Sequence, residues 1–362
     1  LESGPSDAAI ADLFDDQEVR LASGFYSPHS QIRLRAITFG AEEFSADVLR
    51  QRIRAAVDRR RSLFSSATNA ARLLNAEGDE VSGLVIDRYD DLLVIEIANH
   101  GIEAIKGLVI DVIEDLIEPR LIVFKNDLPA RELEQLPIKS EWTGSGEPVA
   151  RISENGLKFL VEPLEGQKTG FFLDQRDNRQ LARTLSANCR VLNLFSYSGA
   201  FGVYGAAGGS TAIHNVDVSA RAVELARTNH DLNGLLANTH FVQADAFGYV
   251  RERAAAGDQF DLIVCDPPAF ARRRGDVERA ARGYKDINLY AMRLLAPGGR
   301  MLTFSCSGHM SLDLFQKVIF SAALDAGRRV SFVRRLTAGI DHPVSLYCPE
   351  GEYLKGFLLE VI

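Results

Sequence analysis

Beyond about residue 157 the chain alternates short apolar runs with longer segments of helical spacing. The runs 191–195, 211–216, 239–242, 261–265 and 300–305 read as strands, with helices between them. Strand–helix alternation predicts parallel strands joined by right-handed crossovers, hence a doubly wound α/β sheet.

The upstream half has a different rhythm. Residues 1–40 open in polar, acidic sequence and then alternate through Ile32-Arg33-Leu34-Arg35-Ala36-Ile37, a period-two strand signal. A piece this short cannot bury its own core. Residues 1–40 are therefore expected to be part of a β-domain whose front precedes Leu1, a first residue that is not methionine. Leu49, Ile53, Ala56, Val57 and Leu63 form a helical stripe with arginines opposite, which predicts a connecting helix within 41–65. Residues 66–155 read as a small α/β domain. Its strands are expected at 83–87, 92–97 and 121–124, with a helix at about 102–116 that stops before Pro119. Gly144-Ser145-Gly146-Glu147-Pro148 reads as a loop leading to a hairpin around Glu154-Asn155-Gly156. The doubly wound domain takes the remainder, 156–362.

Composition narrows the class. A chain of 362 residues, 46% hydrophobic and 25% charged, is expected to form two or three globular domains. No run is long enough to span a bilayer, and nothing resembles a signal peptide. Cys189, Cys265, Cys306 and Cys348 are too scattered for a metal pattern or a disulfide framework, which points to free thiols in a reducing cytoplasm. The net charge of −8 argues mildly against a nucleic-acid partner. Its distribution argues the other way. Arg33 and Arg35, then Arg50 to Arg61, then Arg272, Arg273 and Arg274 form three basic clusters, and together they tilt the expectation toward RNA.

The first half of the doubly wound domain has the marks of a cofactor site. The run ending at Asn193-Leu194-Phe195 enters Ser196-Tyr197-Ser198-Gly199-Ala200-Phe201-Gly202, a tight glycine turn that lets backbone approach a ligand at a helix N-terminus. The next strand ends in Asp217-Val218-Ser219, an acid placed to hold ribose hydroxyls. After the third strand comes Asp245-Ala246, a second acid able to accept from an adenine amino group. A nicotinamide dehydrogenase would need Gly-x-Gly-x-x-Gly, which is absent. S-adenosylmethionine carries no phosphates and tolerates the looser turn. Each acid alone also fits a helix N-cap, but capping does not explain the Asp-Pro-Pro turn or the ordered series Gly199, Asp217, Asp245 and Asp266 on successive strand ends.

The second half suggests the chemistry. Asp266-Pro267-Pro268-Ala269-Phe270 is a stiff turn with free carbonyls. Amino-methyltransferases place an aromatic residue directly after such prolines, whereas here Ala269 stands there and Phe270 follows. Carbon 5 of cytosine is too weak a nucleophile to take a methyl group directly. A thiolate adding at carbon 6 makes it an enamine. Cys306, in Ser305-Cys306-Ser307-Gly308, and Asp266 supply the thiol and the acid that this route needs. Cys265 reads as core.

The chain resembles bacterial 23S ribosomal RNA cytosine-5 methyltransferases of the RlmI type, class I enzymes dependent on S-adenosylmethionine. The resemblance rests on Tyr26 to Arg33, Gly83 to Tyr89, Lys168-Thr169-Gly170-Phe171-Phe172-Leu173-Asp174-Gln175-Arg176, Asn193 to Gly202, the Asp-Pro-Pro turn, Gly283 to Asn288, Phe304 to Gly308 and Tyr353 to Phe357. It implies an N-terminal RNA-binding PUA domain, a central α/β domain and a Rossmann-like class I methyltransferase domain. It also implies that Cys306 is the nucleophile, that Asp217, Asp245, Asp266 and Pro267 line the cofactor and base pocket, and that Gln175 and Arg176 lie near the cofactor. A homodimer is compatible with the resemblance, although the sequence carries no signature of one. Lys285, Tyr284 and His309 are close enough in sequence to be candidates for removing the carbon-5 proton, and each also fits a structural or solvent-facing role. Two alternatives remain open: methylation of an exocyclic amine of guanine or adenine, and a non-catalytic RNA-binding factor with a methyltransferase fold.

Overall fold

The structure, a computed structural model, describes residues 10–271 and 273–362. Residues 1–9 of the expected β-domain and Arg272 of the third basic cluster lie outside the described residues. Three antiparallel strands come first: Ile10–Phe14 (β1), Arg20–Tyr26 (β2) and Leu34–Phe39 (β3), in the order β1-β2-β3. The sequence shows only the third, because β1 and β2 meet across the acidic turn in which Asp15 Oδ1 accepts from the backbone of Gln17 and Val19.

The connecting helix runs Ala46–Arg60, capped by the Ser45 hydroxyl and buried through Leu49, Ile53 and Ala56. Its arginines are mostly committed within this part of the protein. Arg60 grips Asp79 with two nitrogens at 2.7 and 2.6 Å, Arg59 reaches the same carboxylate, and Arg52 binds the Glu80 carbonyl. Arg50 and Arg61 pair with Asp47 and Asp58 of the same helix. Arg35 pairs with Glu134, and Arg33 donates to the Pro28 carbonyl. Most arginines of the first two basic clusters thus have acidic or carbonyl partners within the first unit.

The next sheet contains Ala70–Asn75 (β4), Leu84–Tyr89 (β5), Leu92–Ile97 (β6), Leu121–Asn126 (β7) and Lys139–Gly144 (β8) in sequential order, antiparallel except between β6 and β7. The single helix expected at 102–116 is two, His100–Ala104 and Lys106–Ile117, broken at Ile105. Ala150–Glu154 (β9) and Leu157–Val161 (β10) flank Asn155-Gly156, whose φ values of 51° and 80° suit a two-residue hairpin turn.

The remaining strands form one seven-stranded sheet: Arg190–Leu194 (β11), Ala212–Asp217 (β12), Thr239–Gln243 (β13), Phe260–Cys265 (β14), Leu295–Ser305 (β15), Val330–Leu336 (β16) and Lys355–Val361 (β17). Their order is β13-β12-β11-β14-β15-β17-β16, with β17 antiparallel between β15 and β16. Neighbours along a strand enter opposite cores. Leu192, Ile263, Met301 and Phe357 join one buried cluster, and Val191, Val264, Leu302 and Leu358 the other. The order reverses between β11 and β14, so a ligand crevice opens at their carboxyl ends.

By contacts the chain divides into two units. The first comprises residues up to Gly156 together with Val161–Leu173 and Ile340–Gly351; the second comprises Leu157–Leu160, Asp174–Gly339 and Glu352–Ile362. Two segments that the sequence assigns to the C-terminal domain, 161–173 and 340–351, therefore cluster with the first unit. Among the described residues no helix is long and apolar enough to cross a membrane.

Candidate functional site

The chain leaves β11 through an unusual loop. Phe195 and Tyr197 have φ of 57° and 44°, a region that costs bulky residues energy, and Gly199 follows at 68°. Asp217 at the end of β12 holds the loop: its Oδ2 accepts from the Tyr197 amide and its Oδ1 from the Ser219 amide, both at 2.9 Å. The Ser196 amide donates to the Val216 carbonyl, and Asn229 donates to the Ser198 carbonyl at 2.8 Å. Gly199 is needed for shape as well as φ, since a Cβ there would lie 2.6 Å from that of Ala226. The helix Ala200–Ala207 begins directly after it.

Three features of this corner fit an adenosyl group. The Ser196 hydroxyl is buried and has no hydrogen-bond partner among the described residues. The Val218 side chain is 69% exposed, an apolar surface left in solvent beside the acid. Each Asp217 oxygen retains accepting capacity beyond its one amide. Asp245 is exposed and caps the helix Ala246–Ala255 by accepting from Gly248 at 2.8 Å. Ala246, the first residue of that helix, is buried. Asn193 sits deeper, in the sheet, donating to Asn215 at 2.9 Å. Its side chain braces β11 against β12.

The Asp-Pro-Pro turn follows β14. Gln175 Nε2 donates to Asp266 Oδ2 at 2.9 Å, and Gln175 Oε1 accepts from Asn178 at 2.6 Å. Asn178 is anchored in turn on the Thr337 carbonyl. Gln175, Arg176 and Asn178 are all buried at the start of the helix Arg176–Leu185. The Phe270 ring packs into an aromatic cluster, 4.7 Å from the Tyr284 centroid and 6.0 Å from that of Phe247.

Cys306 emerges at the end of β15, half-buried, with its thiol pointing to the Pro267 carbonyl at 3.7 Å. Ser307 fastens the same turn: its hydroxyl accepts from the Ala271 amide at 3.1 Å and is bonded to Tyr284 Oη at 2.9 Å. The thiol and the turn carrying Asp266 therefore share one crevice. Tyr284 is fully buried, and burial raises its phenol pKa. Lys285 pairs with Asp325 at 2.7 Å, and His309 is exposed. Cys265 is fully buried, its thiol pushed far up by desolvation; Cys189 and Cys348 are shifted up for the same reason. Sequence reasoning missed Asn178 and Lys355. Lys355 opens β17 inside the quoted Tyr353–Phe357 stretch, and its Nζ donates to the Ser307 carbonyl at 3.0 Å.

A sequence model described as S-adenosylmethionine-dependent methyltransferase matches residues 135–345. A protein of Aeromonas salmonicida (strain A449) named ribosomal RNA large subunit methyltransferase I is 42% identical, covering 99% of this chain and 92% of its own length. One of the same name from Shewanella denitrificans (strain OS217) is 44% identical over 94% of this chain and 87% of its own length. Among solved structures, a methyltransferase designated SMU.776, complexed with SAH, superposes with a TM-score of 0.85 at 24% identity, covering 97% of this chain and 91% of that one.

Proposed function

From the premise that this chain belongs to the S-adenosylmethionine-dependent methyltransferases, in the family of ribosomal RNA large subunit methyltransferase I, we propose that it methylates carbon 5 of a cytosine in 23S ribosomal RNA through a Cys306 adduct. The observation that carries this reading is the Cys306 thiol lying on the carbonyl of Pro267, the residue after Asp266.

When bound, S-adenosylmethionine supplies an electrophilic methyl group. Asp217 holds ribose hydroxyls in this reading, Asp245 faces the adenine amino group, and Ser196, Tyr197, Ser198, Gly199, Val218, Ser219 and Ala246 line the cleft. The chain's own chemistry lies at the base. The Cys306 thiolate forms a bond to carbon 6 while Asp266, held by Gln175, places its acid at ring nitrogen 3; the ring electrons then concentrate at carbon 5. Once carbon 5 carries the methyl group, a base takes its proton, the electrons of that carbon–hydrogen bond re-form the carbon 5–carbon 6 double bond and the thiolate departs. A target within folded RNA is flipped out to reach the thiol. The meander β1–β3 serves as part of a PUA-like RNA-binding domain, and the reaction takes place in the cytoplasm.

The exocyclic-amine alternative wants a free aromatic face beside the prolines. Phe270 is instead packed against Tyr284 and Phe247. Nucleoside analysis of ribosomal RNA from a deletion strain tests the choice. Complementation with the wild-type chain restores 5-methylcytidine, and Cys306→Ala does not. Restoration of an N-methylated purine instead would overturn the reading.

A further inference from the structure

Lys355 is an unusual residue to find buried, at 5% exposure, in the first position of a sheet strand. The β15–β17 ladder sets it directly opposite Ser305. Its Nζ then reaches past Cys306 to the Ser307 carbonyl at 3.0 Å. Lys355 thus engages both neighbours of the thiol-bearing residue, Ser305 through the strand ladder and Ser307 through its ammonium. Gly356 permits this approach, because a Cβ there would meet the Phe304 ring at 2.5 Å.

We infer that Lys355 is a positioning residue for Cys306: its ammonium holds the Ser305–Ser307 turn and favours the thiolate over the thiol. The inference rests on the reading of Cys306 as the nucleophile. The thiol proton leaves to solvent, which reaches the half-buried cysteine, and Lys355 keeps its own proton.

Among the described residues, the titratable groups that bear on this corner include Lys355 and Glu352 from the segment entering β17, Tyr353 packed against the same cluster as Cys306, Tyr284 from the helix Val277–Arg293 and Asp266 from the loop after β14. Burial raises the Tyr284 pKa, so it stays neutral where thiols titrate. Glu352 and Asp266 carry the wrong sign to support a thiolate. Desolvation pulls the Lys355 pKa down, and the charge of Cys306 opposes that pull, with Glu352 adding to it. The two ionisations therefore support each other: the thiolate gains from the ammonium, and the ammonium from the thiolate.

Iodoacetamide alkylation tests this on the whole protein without RNA or methyl donor, with the Cys306 peptide quantified by mass spectrometry from pH 5 to about pH 10. Wild-type Cys306 is expected to titrate below the ordinary thiol value of about 8.5. Cys189 and Cys348 serve as internal references for unactivated thiols. Lys355→Gln keeps an N–H for the Ser307 carbonyl but loses the charge, and it should move the Cys306 midpoint up by about one pH unit, a roughly tenfold loss of alkylation rate at neutral pH. Lys355→Arg should leave the midpoint near wild type. A folded Lys355→Gln protein with the wild-type profile would overturn the inference. So would a wild-type midpoint at or above the ordinary value, which decides the matter even if the glutamine variant does not fold. The assay measures only the thiol, so an error in the assigned RNA target would leave its outcome unchanged.

Discussion

The Gln175 carboxamide donates to the Asp266 carboxylate at 2.9 Å across 91 residues of chain, and its own oxygen is fixed by Asn178. The motif containing Gln175 and the Asp-Pro-Pro turn are therefore two halves of one device. In the proposed function, the helix that begins at Arg176 sets the angle at which the acid meets the base.

Removing that brace should cost turnover more than folding. A hydrogen bond to a charged group contributes about 1.5–3 kcal/mol, so Gln175→Ala is expected to lower kcat roughly 10- to 100-fold. Asn178→Ala, one bond further back, should have a smaller effect in the same direction. Steady-state methylation of ribosomal RNA by each variant, alongside its melting temperature, checks the ordering. Equal losses in kcat and stability would show a merely structural brace.

Asp217 does two jobs at one carboxylate. It accepts the amides of Tyr197 and Ser219, and in the proposed function it also takes ribose hydroxyls. Asp217→Ala should therefore loosen the strained Phe195–Tyr197 loop and weaken cofactor affinity by about tenfold or more, whereas Asp217→Asn, which keeps one acceptor, should lose less. Calorimetric titration with S-adenosylmethionine separates the two variants. Identical affinities for both would remove Asp217 from the cofactor contacts.

Gly199→Ala combines two penalties: a φ of 68° and a methyl group 2.6 Å from the Ala226 Cβ. A loss of about 1–3 kcal/mol is expected, read from denaturant unfolding. Adding Ala226→Gly relieves the contact but not the backbone strain. The double variant should recover part of the loss and no more.

Much of this was readable from neighbouring residues in the chain. Val191 and Leu192 face opposite cores, so an unbroken apolar run announced a parallel strand covered on both sides. Strands β16 and β17 gave no such signal. The first exposes Phe332 and Val333 beside Arg334 and Arg335, and the second opens on Lys355 and carries Glu360 near its end. Cys306 and Asp266 stood out because each ends a strand-like run. Lys355 did not, since a lysine reads as solvated until the ladder places it opposite Ser305. The ion pairs were hidden for a related reason: a count of charges does not reveal that Arg60 finds Asp79 nineteen residues on.

Glu96 is raised from 4.5 to about 7, chiefly by burial, with Arg72 pulling down and Asp87 and Asp127 pushing up. Arg72 is already engaged by Asp87 at 2.7 and 2.9 Å, and Asp87 also accepts from Thr169 at 2.6 Å. The folded form therefore prefers a protonated Glu96, whereas the unfolded chain ionises near 4.5. The stability this contributes is fully present below about pH 4.5 and is lost as pH rises through about 7. Glu96→Gln is neutral at every pH and should abolish that decline, raising the melting midpoint at pH 8 by about 2–4 °C and leaving it nearly unchanged near pH 5. Thermal melts of wild type and Glu96→Gln across pH 5–8 check the sign, which is opposite to that of an ordinary salt-bridged carboxylate; parallel curves would mean that Glu96 is ionised in the folded protein.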